Sequence, residues 1–258
     1  MMPSIFLSHG SPMLPLTAAP ARDFLAGLAA TLPRPTAIVV ASAHWETAEP
    51  AVNAVASNDT IYDFGGFPRE LYQLTYPAPG DAPLAHHIQT MLQEAGLPCA
   101  IDTRRGLDHG AWCPLYIAYP DADIPVLQVS VQTDLGTAHH VRLGAALAPL
   151  RAAGVLVIGS GSWTHDLRRF RGQSIDAPEP PDVTAFSDWM DRALVENRLE
   201  DLLDYRRRAP YAAAEHPTEE HLLPLYVALG AAGAEPKATR IHASASYGIL
   251  RMDAYSFA

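Results

Sequence analysis

Eleven histidines stand against two cysteines in this chain of 258 residues. Any metal it holds would therefore be held by nitrogen and oxygen, not by thiolate. Three of the histidines follow short apolar, β-branched runs. His9 comes after Ser4-Ile5-Phe6-Leu7-Ser8, and His44 after Ala37-Ile38-Val39-Val40-Ala41-Ser42-Ala43. His165 comes after Val155-Leu156-Val157-Ile158 and the turn Gly159-Ser160-Gly161-Ser162. Neutral imidazole is the commonest metal ligand and titrates near working pH. One such histidine is usually a local cap or a packed core residue. Three at equivalent strand ends point to a metal or acid–base centre.

Two further places carry histidine. His109 lies in Gly106-Leu107-Asp108-His109-Gly110-Ala111-Trp112, a loop leading into a helix start. His216 and His221 lie in His216-Pro217-Thr218-Glu219-Glu220-His221. Five residues apart, they would sit about 140° apart around a helix and share no face. This is not the zinc helix in which two histidines are four apart. At most one of the pair points at a common site, and His216 suits a helix N-cap. The pairs His86-His87 and His139-His140 fall in helical patterns and read as solvated faces. His242 reads as a packed or edge residue. Trp45, Trp112 and Trp163 each lie close in sequence to a candidate histidine and suggest apolar walls around a polar centre. The loop Tyr62-Asp63-Phe64-Gly65-Gly66-Phe67 suggests a rim or lid.

Other chemistries fail on spacing. Gly159-Ser160-Gly161-Ser162-Trp163 is not a nucleophile elbow, because neither serine has glycine two residues away on both sides. It is not a dinucleotide fingerprint either, since Thr164 stands where the third glycine should be. Cys99 and Cys113 have neither C-x-x-C spacing nor an activating neighbour.

The elements that must position these residues are legible in outline. Ser4–Leu7, Ala37–Ala41, Val126–Val131 and Val155–Ile158 read as buried strands of a mostly parallel sheet. Ala21–Leu32, Ala82–Ala95 and Leu135–Leu150 read as the helices between them. Gly96 and Pro98 supply stop signals for the second helix. The alternation is that of an α/β fold, in which ligands bind outside the carboxyl ends of the strands. A Pro-rich loop, Asp176–Asp182, precedes a helix near Ala185–Val195. Another helix is expected to open at His216-Pro217. The tail, Ala238–Phe257, reads as one or two strands around Gly248. No linker divides the chain, so residues 1–258 are expected to form one domain.

Composition narrows the partners. Eighteen Lys+Arg against 28 Asp+Glu give a net charge of -10. That balance argues against nucleic acid and anionic membrane as partners. No apolar run reaches membrane-spanning length. The N-terminal stretch lacks the basic region of a signal peptide, and two unpaired cysteines fit a reducing cytoplasm. Oligomeric state is not legible.

Five segments then acquire a common meaning. They are Ser8-His9-Gly10-Ser11-Pro12, Ser42-Ala43-His44-Trp45, Asp108-His109-Gly110 with Pro114-Leu115, Gly159-Ser160-Gly161 with His165, and His216-Pro217-Thr218 with His221. In this order they resemble the class III extradiol ring-cleavage dioxygenases, specifically the 4,5-DOPA dioxygenase group. The tail Met252-Asp253-Ala254-Tyr255 is similar too. The resemblance implies that His9 and His44 hold a metal, with His221 as third ligand. It implies that His165 is the acid–base catalyst and His109 a second active-site histidine. The implied reaction is metal-dependent cleavage of a catechol such as DOPA by O2, using non-haem Fe(II), to a ring-opened semialdehyde. In the wider superfamily the third ligand is a glutamate. Here a histidine takes that place, which makes Zn(II) an alternative occupant of the isolated protein. Whether His216, His221 or Glu220 supplies the third ligand, and whether His165 also ligates, stays open at this level. A zinc-dependent hydrolase on the same histidines, and a non-catalytic metal-binding protein of the same fold, are the rival readings. Arg104, Arg105, Arg168 and Arg169 could offer a partner to a substrate carboxylate.

Overall fold

Ten strands form along the chain: β1 (Ser4–Ser8), β2 (Ala37–Glu46), β3 (Ala51–Asn53), β4 (Ala100–Asp102), β5 (Val126–Val131), β6 (Val155–Gly161), β7 (Ala238–His242), β8 (Ala245–Ser246), β9 (Leu250–Arg251) and β10 (Ala254–Phe257). The computed structural model describes residues 1–258. Eight of the strands make one sheet in the order β4-β3-β5-β2-β6-β1-β10-β7, and β8 and β9 make a separate hairpin. The four apolar runs read from the sequence are its middle. β5, β2, β6 and β1 all run parallel. Antiparallel β3 and β10 flank them. Central parallel strands are covered on both faces, which is why they are apolar without alternation.

The nine helices are α1 (Pro20–Leu28), α2 (Ala82–Glu94), α3 (His109–Ala118), α4 (Gly136–Leu147), α5 (Pro181–Val195), α6 (Leu199–Leu203), α7 (Tyr205–Arg208), α8 (Ala212–Glu215) and α9 (Leu223–Ala231). Successive strand residues point to opposite faces. Ile5, Leu7, Ile38, Val40, Leu156 and Ile158 therefore pack on α1 and α3. Val39, Ala41, Val155 and Val157 pack on α2, α4 and α9. α9 is apolar all round because it is buried all round. No helix is long and apolar enough to cross a membrane.

Three expectations need correction. No helix opens at His216-Pro217: residues 217–222 form bends and a turn, and α9 starts at Leu223 with Pro224 in its first turn. This segment is fixed from outside. Ser162 donates its backbone N–H to the His221 carbonyl at 2.8 Å, a bond that a helix begun at residue 217 would have redirected. The tail forms four strands, with Gly248 at φ 68° in the β8–β9 turn. His140 is not on a solvated face. It is buried, donating from Nδ1 to the Gly136 carbonyl (2.7 Å) and accepting the Gln132 backbone N–H at Nε2 (3.0 Å). His242 does pack, stacked on Phe24.

Candidate metal centre and its cavity

The histidines meet at the carboxyl ends of the parallel strands. His9 follows β1 directly, and its backbone N–H continues the pairing to Gly161. His44 lies within β2, just beyond the last β2–β6 pair, Ser42 with Ser160, in a stretch where the β2–β5 register is irregular. His221 is carried across the end of β6 by the bends and turn of residues 217–222. Gly161 permits that crossing, since a Cβ there would stand 2.0 Å from the His221 carbonyl oxygen. His109 opens α3, and Asp108 caps that helix by accepting from Ala111 N–H. Gly110 lets α3 approach β2, because a Cβ would lie 2.5 Å from Ser42 Oγ and 3.0 Å from the His44 ring. Asp108 is itself fixed by Ser42, Arg105 and Gln128.

Three Nε2 atoms converge. That of His44 is 3.0 Å from that of His9 and 3.3 Å from that of His221. The outer nitrogens show which protons are present. Ser160 gives its hydroxyl proton to the Gly110 carbonyl, so it accepts from His9 Nδ1–H at 3.1 Å. His221 donates Nδ1–H to Glu220 Oε1 at 2.9 Å. His44 Nδ1 faces Asp63 Oδ2 at 3.5 Å. With Nδ1 protonated, His9 and His221 present bare lone pairs at Nε2. Nitrogens 3.0 and 3.3 Å from His44 Nε2 are held together either by a proton on that atom or by a cation shared among the three. That spacing is what neighbouring donors adopt around one ion bound at about 2.0–2.1 Å. Histidine ligands with the far nitrogen on a carboxylate or hydroxyl are the usual build of such a site. Burial, then neighbouring imidazoles, pushes His9 and His221 well below the ordinary histidine pKa and His44 to about 4, so all three are neutral at working pH. The residues fit a divalent metal.

Two more imidazoles flank the trio. His109 lies beside His44, with ring centroids 3.9 Å apart, and His165 stacks on His221 at 3.4 Å. His109 is tethered twice to Asp63: backbone N–H to Oδ1 at 3.0 Å and ring Nδ1–H to Oδ2 at 2.9 Å. Burial works to raise the Asp63 carboxyl, but the His109 hydrogen bonds and charge outweigh it and hold it below the usual carboxylate range. His165 is held through its backbone N–H, which donates to the Glu215 carbonyl at 2.8 Å. Burial lowers its pKa to about 4.

All five histidines line one cavity of about 430 Å³, within the roughly 300–1,000 Å³ of small-molecule sites. Phe64 and Phe67, from the loop read as a rim, do line it, together with Leu167, Phe170, Ile249 and Leu250. The tryptophans do not. Trp112 and Trp163 are core residues, and Trp45 packs under the Arg105 guanidinium. Nor does His216 reach the cavity. It is buried behind it, donating Nε2–H to the Trp163 carbonyl. Of the three alternatives for a third ligand, His221 is the one brought to His9 and His44, with Glu220 as its outer partner. None of the four arginines lines the cavity. Asp63 and Ser160 orient His109 and His9; the sequence showed the first only within a rim loop and the second only within Gly159-Ser160-Gly161, with no role for either side chain.

Residues 3–257 match the family described as the catalytic LigB subunit of aromatic ring-opening dioxygenase. The chain is 46% identical to the 4,5-DOPA dioxygenase extradiol of Beta vulgaris, over 98% of this chain and 96% of that one. It is 40% identical to the Escherichia coli (strain K12) protein of the same name, over 91% and 87% of the two chains. A crystal structure of an uncharacterized Escherichia coli K12 protein superposes with a TM-score of 0.81 at 33% identity, covering 100% of both chains.

Proposed function

The chain belongs to the LigB family of aromatic ring-opening dioxygenases, and from that premise we propose that it cleaves a catechol with O2 beside, not between, the two hydroxyls. Both oxygen atoms enter the product, a ring-opened semialdehyde, so no outside reductant is needed. His9, His44 and His221 hold the metal, Fe(II) for catalysis, with Zn(II) an alternative occupant of the isolated protein. The observation that carries this reading is the convergence of three Nε2 atoms, each ring backed at Nδ1 by a hydroxyl or carboxylate. Once bound, such an ion supplies a Lewis acid and a template for the two reactants.

The protein's own groups do the rest. His165 keeps a neutral ring in the cavity wall with no hydrogen bond to the protein from either ring nitrogen. It accepts a catechol hydroxyl proton and returns it as the ring opens, help worth roughly 10²–10⁴-fold in rate. His109 has committed Nδ1–H to Asp63, so Nε2 is the position left to accept a hydrogen bond from a substrate hydroxyl. Asp63 thereby fixes both the tautomer and the plane of that ring. Phe64 and Phe67 exclude water from one side of the catechol. DOPA, the substrate in the relatives' names, is the first compound to try. The test is anaerobic reconstitution with Fe(II), followed by oxygen-electrode assays over a catechol panel. We expect one O2 consumed per ring opened, and no oxygen uptake on any member would overturn the reading.

A further inference from the structure

Beyond the five histidines, the cavity is lined by three hydroxyl side chains: Ser11, Ser162 and Tyr247. No Lys or Arg joins them. Their protons are not equally free. Ser162 gives its own to the Thr164 carbonyl at 2.7 Å. Ser11 Oγ accepts the Met13 backbone N–H at 3.3 Å, and its proton goes to no protein acceptor. Tyr247 meets the protein through its backbone and its ring, and its hydroxyl makes no hydrogen bond within it. Ser11 and Tyr247 also share the lining of a second, smaller cavity, so the two free donors stand on one side of the site.

The backbone is strained to put a tyrosine there. β8 and β9 pair Ser246 with Leu250, and the turn between them passes through two consecutive left-handed residues, Tyr247 at φ 58° and Gly248 at φ 68°. Asn-Gly and Gly-Gly are the usual occupants of such positions, and a bulky aromatic is a costly one. The turn is held firmly all the same. The Ile175 carbonyl accepts Tyr247 N–H at 2.9 Å, and Gln173 Nε2 donates to the Tyr247 carbonyl at 3.1 Å. The Phe170 ring stands edge-on to that of Tyr247, centroids 5.3 Å apart. Gly248 lies against the next loop, where a Cβ would come within 2.5 Å of the Pro178 carbonyl oxygen. Strain sustained by its surroundings in this way collects at functional positions.

We propose that Tyr247, assisted by Ser11, is the specificity-determining residue of this site: its hydroxyl donates to a carboxylate on the catechol's ring substituent. The proposal rests on the ring-cleavage reading for the placement of the ligand, with the catechol hydroxyls on the imidazoles and the substituent toward Tyr247. A carboxylate that leaves water needs donors in exchange. With no Lys or Arg in the lining, hydroxyls are the donors the cavity supplies. A hydrogen bond to an ionised acceptor is roughly twice as strong as one between neutral groups. The pinned turn holds the phenol in place before the ligand arrives, so little rotamer freedom is lost on binding.

Two matched pairs test this, each differing by one carboxylate: DOPA against dopamine, and dihydrocaffeate against 4-ethylcatechol. On the Fe(II)-loaded full chain we expect kcat/KM to favour the carboxylate-bearing member of each pair by about tenfold. Tyr247→Phe keeps the ring and its contact with Phe170 and removes only the hydroxyl. It should lower that preference by about tenfold, mostly through KM. Ser11→Ala should lower it by about threefold. Tyr247→Asn, which suits the left-handed turn, is the second variant should Tyr247→Phe fold poorly. An unchanged preference in a folded Tyr247 variant, or equal use of both members by the wild type, overturns the proposal. Calorimetric binding of dihydrocaffeate and 4-ethylcatechol to the Zn(II)-loaded protein separates the two readings. If no catechol consumes oxygen, the ring-cleavage reading fails, and the calorimetric ratios of wild type and Tyr247→Phe still decide the role of Tyr247. Absence of binding by both compounds there also overturns it.

Discussion

His109 and His165 flank the same three nitrogens, one beside His44 and the other against His221. Yet only His109 is tethered through its ring. Asp63 takes its Nδ1–H and its backbone N–H together. His165 is fixed by its backbone and by stacking, and both ring nitrogens stay free of the protein. A tethered imidazole has one tautomer and one orientation, which suits holding a substrate oxygen in place. An untethered one can gain and lose a proton without breaking a hydrogen bond to the protein, which suits acid–base work. On the proposed reading, the difference gives positioning to one flank and proton transfer to the other.

The most drastic way to break the comparison is to remove what both residues flank. His44→Ala should abolish bound iron and turnover together, read by metal analysis and oxygen uptake. Retained iron would mean that the trio is not the ligand set. Next, His165→Ala should keep its iron but lose roughly 10²–10⁴-fold in kcat; near-normal turnover would erase the division of labour. Asp63→Asn should cost roughly 10–100-fold in activity. Asp63 faces His44 as well as His109, so the double variant with His109→Gln should be slower than His109→Gln alone only by the smaller part of the Asp63 effect that runs through His44. Additive losses in that cycle would show that the tether is not the route.

The smallest effect concerns an imidazole far from the site. His140 is as buried as the cluster, but both its nitrogens are satisfied. Burial lowers its pKa from 6.5 to about 4. A depressed histidine stabilises the fold fully above the unfolded value and loses that contribution as pH falls toward the folded one. Between pH 6.5 and about 4 the stability lost through His140 should be on the order of 3 kcal/mol. Urea unfolding of wild type and His140→Gln across that window measures it. Parallel pH profiles for the two proteins would remove His140 from the account.

What the sequence disclosed follows from range. The strands leading to His9, His44 and His165 are continuous apolar runs buried on both faces, so composition alone marks them. β3 and β4 have only three residues each, too few for any pattern to register. His221 needed the resemblance, because the turns that deliver it are held by Ser162 and Gly161, about 60 residues upstream in the chain. Asp63 was read only as part of a rim loop. Its task becomes visible when that loop folds over α3, 46 positions further on. The tryptophans misled because nearness in sequence to a histidine is not nearness to its cavity. His140 was misplaced because a helical pattern does not show which neighbouring strand end will cover it.

The antiparallel strand β10 has a kinetic consequence. It pairs along β1, Ser4 with Phe257 through Leu7 with Ala254, and Ser8 Oγ donates to the Asp253 carbonyl. The strand that presents His9 is thus completed by residues nearly 250 positions later. Contacts so distant in sequence form late, after the closure entropy of the intervening chain has been overcome. Until residue 257 has been synthesised, β1 lacks one of its two neighbours and His9 lacks a firm base. On the proposed ligand set, metal capture should accordingly follow translation, and a nascent chain stalled before β10 should carry no ion.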